Sequence, residues 1–106
     1  MFGIFKTMFG TQDNTVLIDA IKDGALLVDV RSPGEFSSGS VKGAINIPLN
    51  TLPNQLAKFK TKKSVVVFCL SGGRSGQAKS ILESNGIPNV INGGPWTSVN
   101  NVVNNL

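Results

Sequence analysis

The fold is decided by residues 64–75, which read SVVVFCLSGGRS. Three consecutive valines without polar alternation predict a strand that is covered on both faces, as strands in the interior of a sheet are. Two glycines follow, and helical spacing then begins, with Ala78, Ile81 and Leu82 on one face. A strand, a glycine loop and a helix therefore follow one another, and Cys69 lies at the carboxyl end of the strand.

Helix and strand signals alternate along the rest of the chain. The predicted strands are short and apolar: 25–30, 44–47, 64–68 and 89–91, the last of them ended by the glycine pair at 93–94. The predicted helices are one capped at Asn14 or Thr15 that runs to about Lys22, a short one capped by Ser32 with Glu35 at capping-box spacing, one marked by Leu52, Leu56 and Phe59, one over 77–84, and a terminal one from Trp96. We expect an α/β fold, with a mostly parallel central sheet of about five strands and helices on both faces.

Length and composition agree with a single folded domain. The chain has 106 residues, of which 41% are hydrophobic and 15% charged, enough for one core. We assign residues 1–10 to an N-terminal extension and residues 11–106 to the domain. The longest apolar run, 64–70, is too short to span a bilayer, and the N-terminus does not resemble a signal peptide. A free thiol suits a reducing compartment, so we expect a cytoplasmic protein without membrane contacts.

The absence of certain residue types excludes several kinds of site. The sequence has no histidine and one cysteine, so Ser-His-Asp and Cys-His mechanisms, His/Cys zinc sites and internal disulfides are ruled out. The net charge of +4 favours small anionic ligands. The lysines between 58 and 63 have only Phe59 as an interleaved aromatic, and we interpret them as a solvated connector rather than a nucleic-acid surface.

The loop after Cys69 has the features of an anion-binding nest. Gly72 and Gly73 can turn backbone N–H groups inward, and the positive end of the helix that begins near Ser75 favours negative charge. The same field stabilises a thiolate without a histidine partner, and Arg74 adds a permanent positive charge. A single cysteine can also be an ordinary buried residue, but the order C-x-x-G-x-R after a valine strand favours the reactive interpretation.

Three further segments accompany the strand and loop at 65–75: residues 27–36 read LVDVRSPGEF, residues 39–48 read GSVKGAINIP and residues 90–94 read VINGG. With these segments the chain resembles, over nearly its whole length, the single-domain rhodanese family of thiosulfate sulfurtransferases. In the order 27–36, 39–48, 65–75 and 90–94, the segments are similar to the family's LxDVRxxxEF, its GHIxGAxNIP, its strand and active loop, and its closing LxGG turn. Ser40 replaces the histidine that is frequent in the family, and Trp96 follows the glycines earlier than the family's tryptophan does.

The resemblance implies that Cys69 is a nucleophile that takes up a sulfane sulfur and becomes a persulfide. The donor, thiosulfate, would be bound by the loop residues Leu70, Ser71, Gly72, Gly73 and Arg74, with Arg74 orienting its charged end. Asp29, Arg31, Glu35 and Ser75 are interpreted as loop scaffold, with Arg31 and Glu35 spaced to pair and Asp29 placed to accept from nearby N–H groups. Sulfite is a good leaving group that needs little proton help, so a protein without histidine can carry out this attack. The resemblance implies no metal or organic cofactor.

Two other functions stay open. A cysteine phosphatase or arsenate reductase of the same fold uses a loop with arginine six positions after cysteine, whereas Arg74 comes five positions after Cys69. A non-catalytic binding or persulfide-carrier module is the second alternative. The sequence does not choose among four kinds of sulfur acceptor: cyanide, glutathione, a thioredoxin-like protein or a dedicated acceptor protein. We expect the protein to be a monomer.

Overall fold

A parallel sheet of four strands forms the centre of the computed structural model, which describes residues 14–106. The strands are β1 (Leu26–Asp29), β2 (Ile45–Asn46), β3 (Val65–Cys69) and β4 (Val90–Pro95), in the order β2-β1-β3-β4 with all neighbours parallel. The helices are α1 (Thr15–Lys22), α2 (Pro33–Ser37), α3 (Gly73–Ser84) and α4 (Trp96–Asn104), with two 3₁₀ helices at Leu49–Asn54 and Leu56–Phe59. The predicted extension, residues 1–10, and the first residues of the predicted domain, 11–13, lie outside the described residues.

Strand β3 is buried on both faces, as its valines predict. Every residue of the strand is buried. Val65 and Val67 face a core cluster built with the 3₁₀ helices and α3, whereas Val66 and Phe68 face a cluster built with α1 and α4. The α/β class and the helices on both faces are therefore confirmed. In the part of the chain that the structure describes, no helix is long and apolar enough to cross a membrane.

The expectation of about five strands is wrong for residues 14–106, where the sheet has four. Between β2 and β3 we expected one helix with Leu52, Leu56 and Phe59 on a shared face, and the structure instead has two 3₁₀ helices that meet at Gln55. Pro53 lies inside the first of them and provides no N–H for an α-helical hydrogen bond. Leu52 and Phe59 are fully buried, so the apolar spacing correctly marked core residues.

The glycine pair at 93–94 does not end the last strand. Strand β4 continues through both glycines to Pro95, with one register irregularity against β3. A Cβ atom on Gly93 would lie 2.6 Å from Cγ2 of Val99 in α4 and 3.1 Å from Cγ1 of Val66 in β3. The glycine is therefore a packing position, because only a residue without a side chain lets α4 lie this close to the sheet.

Gly93→Ala is expected to destabilise the protein by about 1–3 kcal/mol, because the added methyl group overpacks the contact between β4 and α4. For a domain of this size the melting temperature falls by roughly 4–8 °C per kcal/mol, which thermal unfolding followed by circular dichroism measures. Gly34→Ala is the matched control, since a Cβ at Gly34 meets nothing within 4 Å. Equal melting temperatures for the two variants would contradict the packing role of Gly93.

Candidate active site

Cys69 ends β3 at the carboxyl edge of the sheet, and the chain that follows folds around its sulfur. The residue is 1% exposed. The backbone N–H of Gly72 donates to Sγ at 3.0 Å, and the backbone N–H of Ser75 donates at 3.4 Å. Gly72 has a φ of +108°, a left-handed conformation that other residues rarely adopt. The glycine in the loop is therefore what turns a backbone donor toward the cysteine.

Helix α3 begins inside the predicted loop. The sequence indicated helical spacing from residue 77, but the helix starts at Gly73, so Arg74 and Ser75 belong to its first turn. The unpaired N–H groups and the positive dipole end of a 12-residue helix therefore lie next to Sγ. Leu70 is 58% exposed beside this turn, and Ser71 and Gly73 are exposed as well.

The hydrogen bonds around Cys69 favour its thiolate. Burial raises the pKa of the Cys69 thiol, but the Ser75 hydroxyl and the backbone N–H groups of Ser75, Gly72 and Ser71 lower it by more, so that the pKa lies below its ordinary value. The positive charge of Arg74 also favours the Cys69 thiolate, because the two opposite charges attract each other. The loop thus supplies the kind of thiolate stabilisation that a histidine supplies in cysteine enzymes.

Arg74 is held by a carboxylate. Its Nη1 donates to Oε1 of Glu35 at 2.8 Å and its Nη2 donates to Oε2 at 3.1 Å, a bidentate pair between α3 and α2. This hydrogen bonding from Arg74, with a backbone hydrogen bond from Ser32, lowers the pKa of Glu35 to about 2. The predicted pair between Arg31 and Glu35 is therefore wrong, because Glu35 faces α3 and Arg31 has another partner.

That partner is Asp29, and the two form a buried ion pair at the end of β1. Asp29 is 0% exposed and Arg31 4%. Arg31 donates from Nε and Nη2 to the carboxylate, and its backbone N–H donates to Oδ1 at 3.0 Å. Ser40 donates to Oδ2 at 2.7 Å, Gly39 accepts from Nη2 at 2.7 Å, and the guanidinium lies 5.0 Å from the ring centre of Trp96. The network ties β1, the 39–40 turn and α4 together beside the loop.

Sequence reasoning missed Asn92, which completes the site from β4. Its Oδ1 accepts from the Ser75 hydroxyl at 2.6 Å and from the Gly94 N–H at 2.9 Å. Its Nδ2 donates to the Gly72 carbonyl at 3.4 Å. The signal was available, because Asn92 directly follows the predicted strand 89–91, and the carboxyl ends of neighbouring parallel strands meet at one edge of a sheet.

A cavity of about 310 Å³ adjoins this site. Its wall includes Arg74 and Ser32, and its remaining lining residues are Val30, Pro48, Leu49 and Asn50. A roomier groove of about 610 Å³ lies between α1 and α4 and includes none of the predicted site residues. The smaller cavity is the one that borders the site, because Arg74 lines it, whereas Cys69 lines neither of these two spaces. Within residues 14–106 no group of three or more histidine, cysteine, aspartate or glutamate side chains is arranged to hold a metal ion.

Comparisons with known proteins point in one direction. Residues 13–94 match the family model described as the rhodanese-like domain. The chain is 42% identical over 69 residues to the thiosulfate sulfurtransferase PspE of Escherichia coli, a match that covers 63% of this chain and 66% of that protein. It is 34% identical over 70 residues to a sulfurtransferase of Allochromatium vinosum, covering 66% of this chain and 65% of that protein.

A solved structure supports the same comparison. The human single-domain sulfurtransferase TSTD1 superposes with a TM-score of 0.67 at 30% identity, over 83% of this chain and 92% of that one. The chain thus spans slightly less than two thirds of these two bacterial relatives, and it matches nearly the whole of the solved human domain.

Proposed function

The chain belongs to the rhodanese-like domain family, and we propose that it is a sulfurtransferase that moves a sulfane sulfur from thiosulfate, through a Cys69 persulfide, to a thiophilic acceptor. One observation carries the proposal: Sγ of Cys69 accepts hydrogen bonds from the backbone N–H groups of Gly72 and Ser75 at the N-terminus of α3. That arrangement stabilises both an attacking thiolate and an anionic sulfur compound bound next to it.

The first half-reaction transfers one sulfur atom. The Cys69 thiolate attacks the outer sulfur of thiosulfate, a new S–S bond forms to Sγ, and the S–S bond of thiosulfate breaks. Sulfite leaves with the electron pair of that bond, and the negative charge of the thiolate moves to the outer sulfur of the persulfide. No proton has to be transferred in this step, which is why a chain without histidine can carry it out.

The second half-reaction returns the thiolate. An acceptor such as cyanide, or the thiolate of a small molecule or protein, attacks the outer sulfur and Cys69 leaves as the thiolate. Because the chain has one cysteine, no second thiol of the same chain can take the sulfur, and the acceptor must come from outside. Glutathione and thioredoxin-like proteins are acceptors of the required chemistry.

The phosphatase alternative is disfavoured by two contacts. A phosphatase needs a general acid for the leaving alkoxide, and the aspartate of the strand next to Cys69, Asp29, is engaged by Arg31 and Ser40. The loop length, with arginine five residues after cysteine, also departs from the longer loops of those enzymes.

The experiment that tests the proposal is steady-state transfer of sulfur from thiosulfate to cyanide, followed as thiocyanate. Turnover that saturates with thiosulfate supports the sulfurtransferase. A persulfide on Cys69 without turnover would identify a carrier module, and hydrolysis of a phosphate ester without sulfur transfer would favour the phosphatase.

Arg74→Ala is expected to raise the thiosulfate KM about tenfold while lowering kcat much less, because it removes a positive charge from the donor's approach and leaves Glu35 unpaired. Glu35→Gln should change the KM in the opposite direction, since Arg74 is then no longer neutralised. The double variant separates the loss of Arg74 from the exposed charge of Glu35. A thiosulfate KM unaffected by Arg74→Ala would refute a binding role for the arginine.

A further inference from the structure

The Ser75 hydroxyl has three acceptors and one proton. Its Oγ lies 3.3 Å from Sγ of Cys69, 3.1 Å from the Gly72 carbonyl and 2.6 Å from Oδ1 of Asn92. A serine hydroxyl donates one hydrogen bond at a time, so these acceptors compete. Ser75 is itself fully buried, so its hydroxyl depends on these protein acceptors, of which Oδ1 of Asn92 belongs to an exposed residue.

We propose that Asn92 is a positioning residue that competes with Sγ of Cys69 for the Ser75 proton, and so controls how readily the sulfur is held as a thiolate. The inference rests on the proposed function only in taking Cys69 as the reacting atom. Asn92 does not touch Sγ in any hydrogen bond of the structure, and its effect passes through Ser75.

Two arrangements of the hydroxyl satisfy every group. With Cys69 as the thiol, the S–H donates to Ser75 Oγ, and the Ser75 O–H donates to Asn92. With Cys69 as the thiolate, the Ser75 O–H turns to Sγ, and Oδ1 of Asn92 keeps the hydrogen bond from the Gly94 N–H at 2.9 Å. Neither state leaves a buried polar group unpaired, so the hydroxyl can exchange acceptors at little cost.

The arrangement also follows the proposed reaction. In the persulfide, Sγ is a neutral bridging sulfur and a weak acceptor, and the charge sits on the outer sulfur. The Ser75 hydroxyl then returns to Asn92, and the outer sulfur is left to the backbone donors of the loop. Asn92 therefore stabilises the thiol and the loaded state relative to the free thiolate.

The charged groups around Cys69 are held in two ion pairs. Arg74 of α3 is paired with Glu35 of α2, whose pKa is about 2, and the hydrogen bonds to Glu35 raise the Arg74 pKa above its ordinary value although burial lowers it. Asp29 and Arg31 at the end of β1 form the other ion pair. A substitution at Asn92 leaves the residues of both ion pairs in place, so the Cys69 pKa is compared between proteins with the same charged neighbours.

The test is a titration of the Cys69 thiolate by its ultraviolet absorbance. The chain has one cysteine and no tyrosine, so this absorbance reports Cys69. Asn92→Ala removes the competing acceptor and is expected to lower the thiol pKa by about half a unit. The near-isosteric Asn92→Asp is a stronger acceptor with a negative charge and is expected to raise it by about one unit.

The Ser75→Ala background shows whether the effect passes through the hydroxyl. There, Asn92→Ala is expected to leave the thiol pKa unchanged, because the proton for which the residues compete is gone. A rise in pKa with Asn92→Ala, or a shift that persists with Ser75→Ala, would overturn the proposal and leave Asn92 as loop scaffold. If Asn92→Ala does not fold, the Asn92→Asp protein decides instead: a Cys69 thiol pKa equal to or below that of the unchanged protein would overturn the proposal. The titration needs no turnover, so this inference and the sulfurtransferase proposal can fail separately.

Discussion

Cys69→Ala is expected to reduce thiocyanate formation from thiosulfate and cyanide by about a thousandfold or more, to the uncatalysed level. The loop donors converge on Sγ, and no second cysteine exists to replace it. The fold should persist, because replacing one buried sulfur by hydrogen costs about 1 kcal/mol. Thiocyanate is measured colorimetrically and folding by circular dichroism.

Ser84→Ala is the matched control for this substitution. Ser84 is the last residue of α3 and is exposed, at the end of the helix opposite to Cys69. It is expected to keep full turnover. A folded Cys69→Ala protein that still forms thiocyanate at the rate of the control would remove Cys69 from the mechanism.

Arg31→Leu is expected to lower the free energy of unfolding by about 3–5 kcal/mol, because it leaves the buried carboxylate of Asp29 without its counter-charge. A loss of that size is a large part of the roughly 5–15 kcal/mol that stabilises an ordinary domain. The substitution also removes the hydrogen bond from the Arg31 guanidinium to the Gly39 carbonyl and the contact of the guanidinium with the Trp96 ring. Urea unfolding at neutral pH measures the effect.

An exposed ion pair provides the comparison. Lys79 and Glu83 lie 3.9 Å apart on α3, with side chains 39% and 55% exposed. Lys79→Leu is expected to change stability by less than about 1 kcal/mol, since water screens such pairs. The double variant Asp29→Leu/Arg31→Leu should recover part of the loss, because no unpaired charge remains. Equal unfolding midpoints for Arg31→Leu and Lys79→Leu would contradict a structural role for the buried pair.

Local signals explain why so much of the fold was predictable. The valine run marked β3, and the capping box at Ser32 formed as its spacing requires, with Oγ of Ser32 accepting from the Glu35 N–H at 3.3 Å and Oε1 of Glu35 accepting from the Ser32 N–H at 3.0 Å. Each of these features is determined by residues within a few positions of one another. Cys69 and the glycines of its loop are likewise only a few residues apart, so the sequence alone indicated that they lie together.

Contacts between distant segments were not predictable in the same way. Arg31 and Glu35 have the spacing of a helical pair, but Arg31 precedes α2 and pairs back within β1, while Glu35 reaches Arg74, 39 residues along the chain. The spacing of residues within α2 does not indicate which other helix contacts it, and here that helix is α3. The position of Asn92 at the edge of the sheet could be predicted from the strand signal at 89–91, but its partner Ser75 could not, since that residue belongs to a different element.

The extent of β4 shows a third limit. Glycine pairs usually interrupt strands, and the pattern around Gly93 was interpreted in that way. The interpretation is wrong because methyl groups of Val66 and Val99 occupy the space that a side chain at Gly93 would need. A glycine that makes room for packing and a glycine that makes a turn look alike in one sequence.

The most direct test of the sulfur-transfer account is the intact mass of the protein before and after incubation with thiosulfate alone. The account predicts a gain of about 32 Da, one sulfur atom, that is absent in Cys69→Ala and is removed by cyanide with release of thiocyanate. An unchanged mass in a protein that nevertheless turns over thiosulfate and cyanide would contradict a Cys69 persulfide, and so would a gain of the same size in Cys69→Ala.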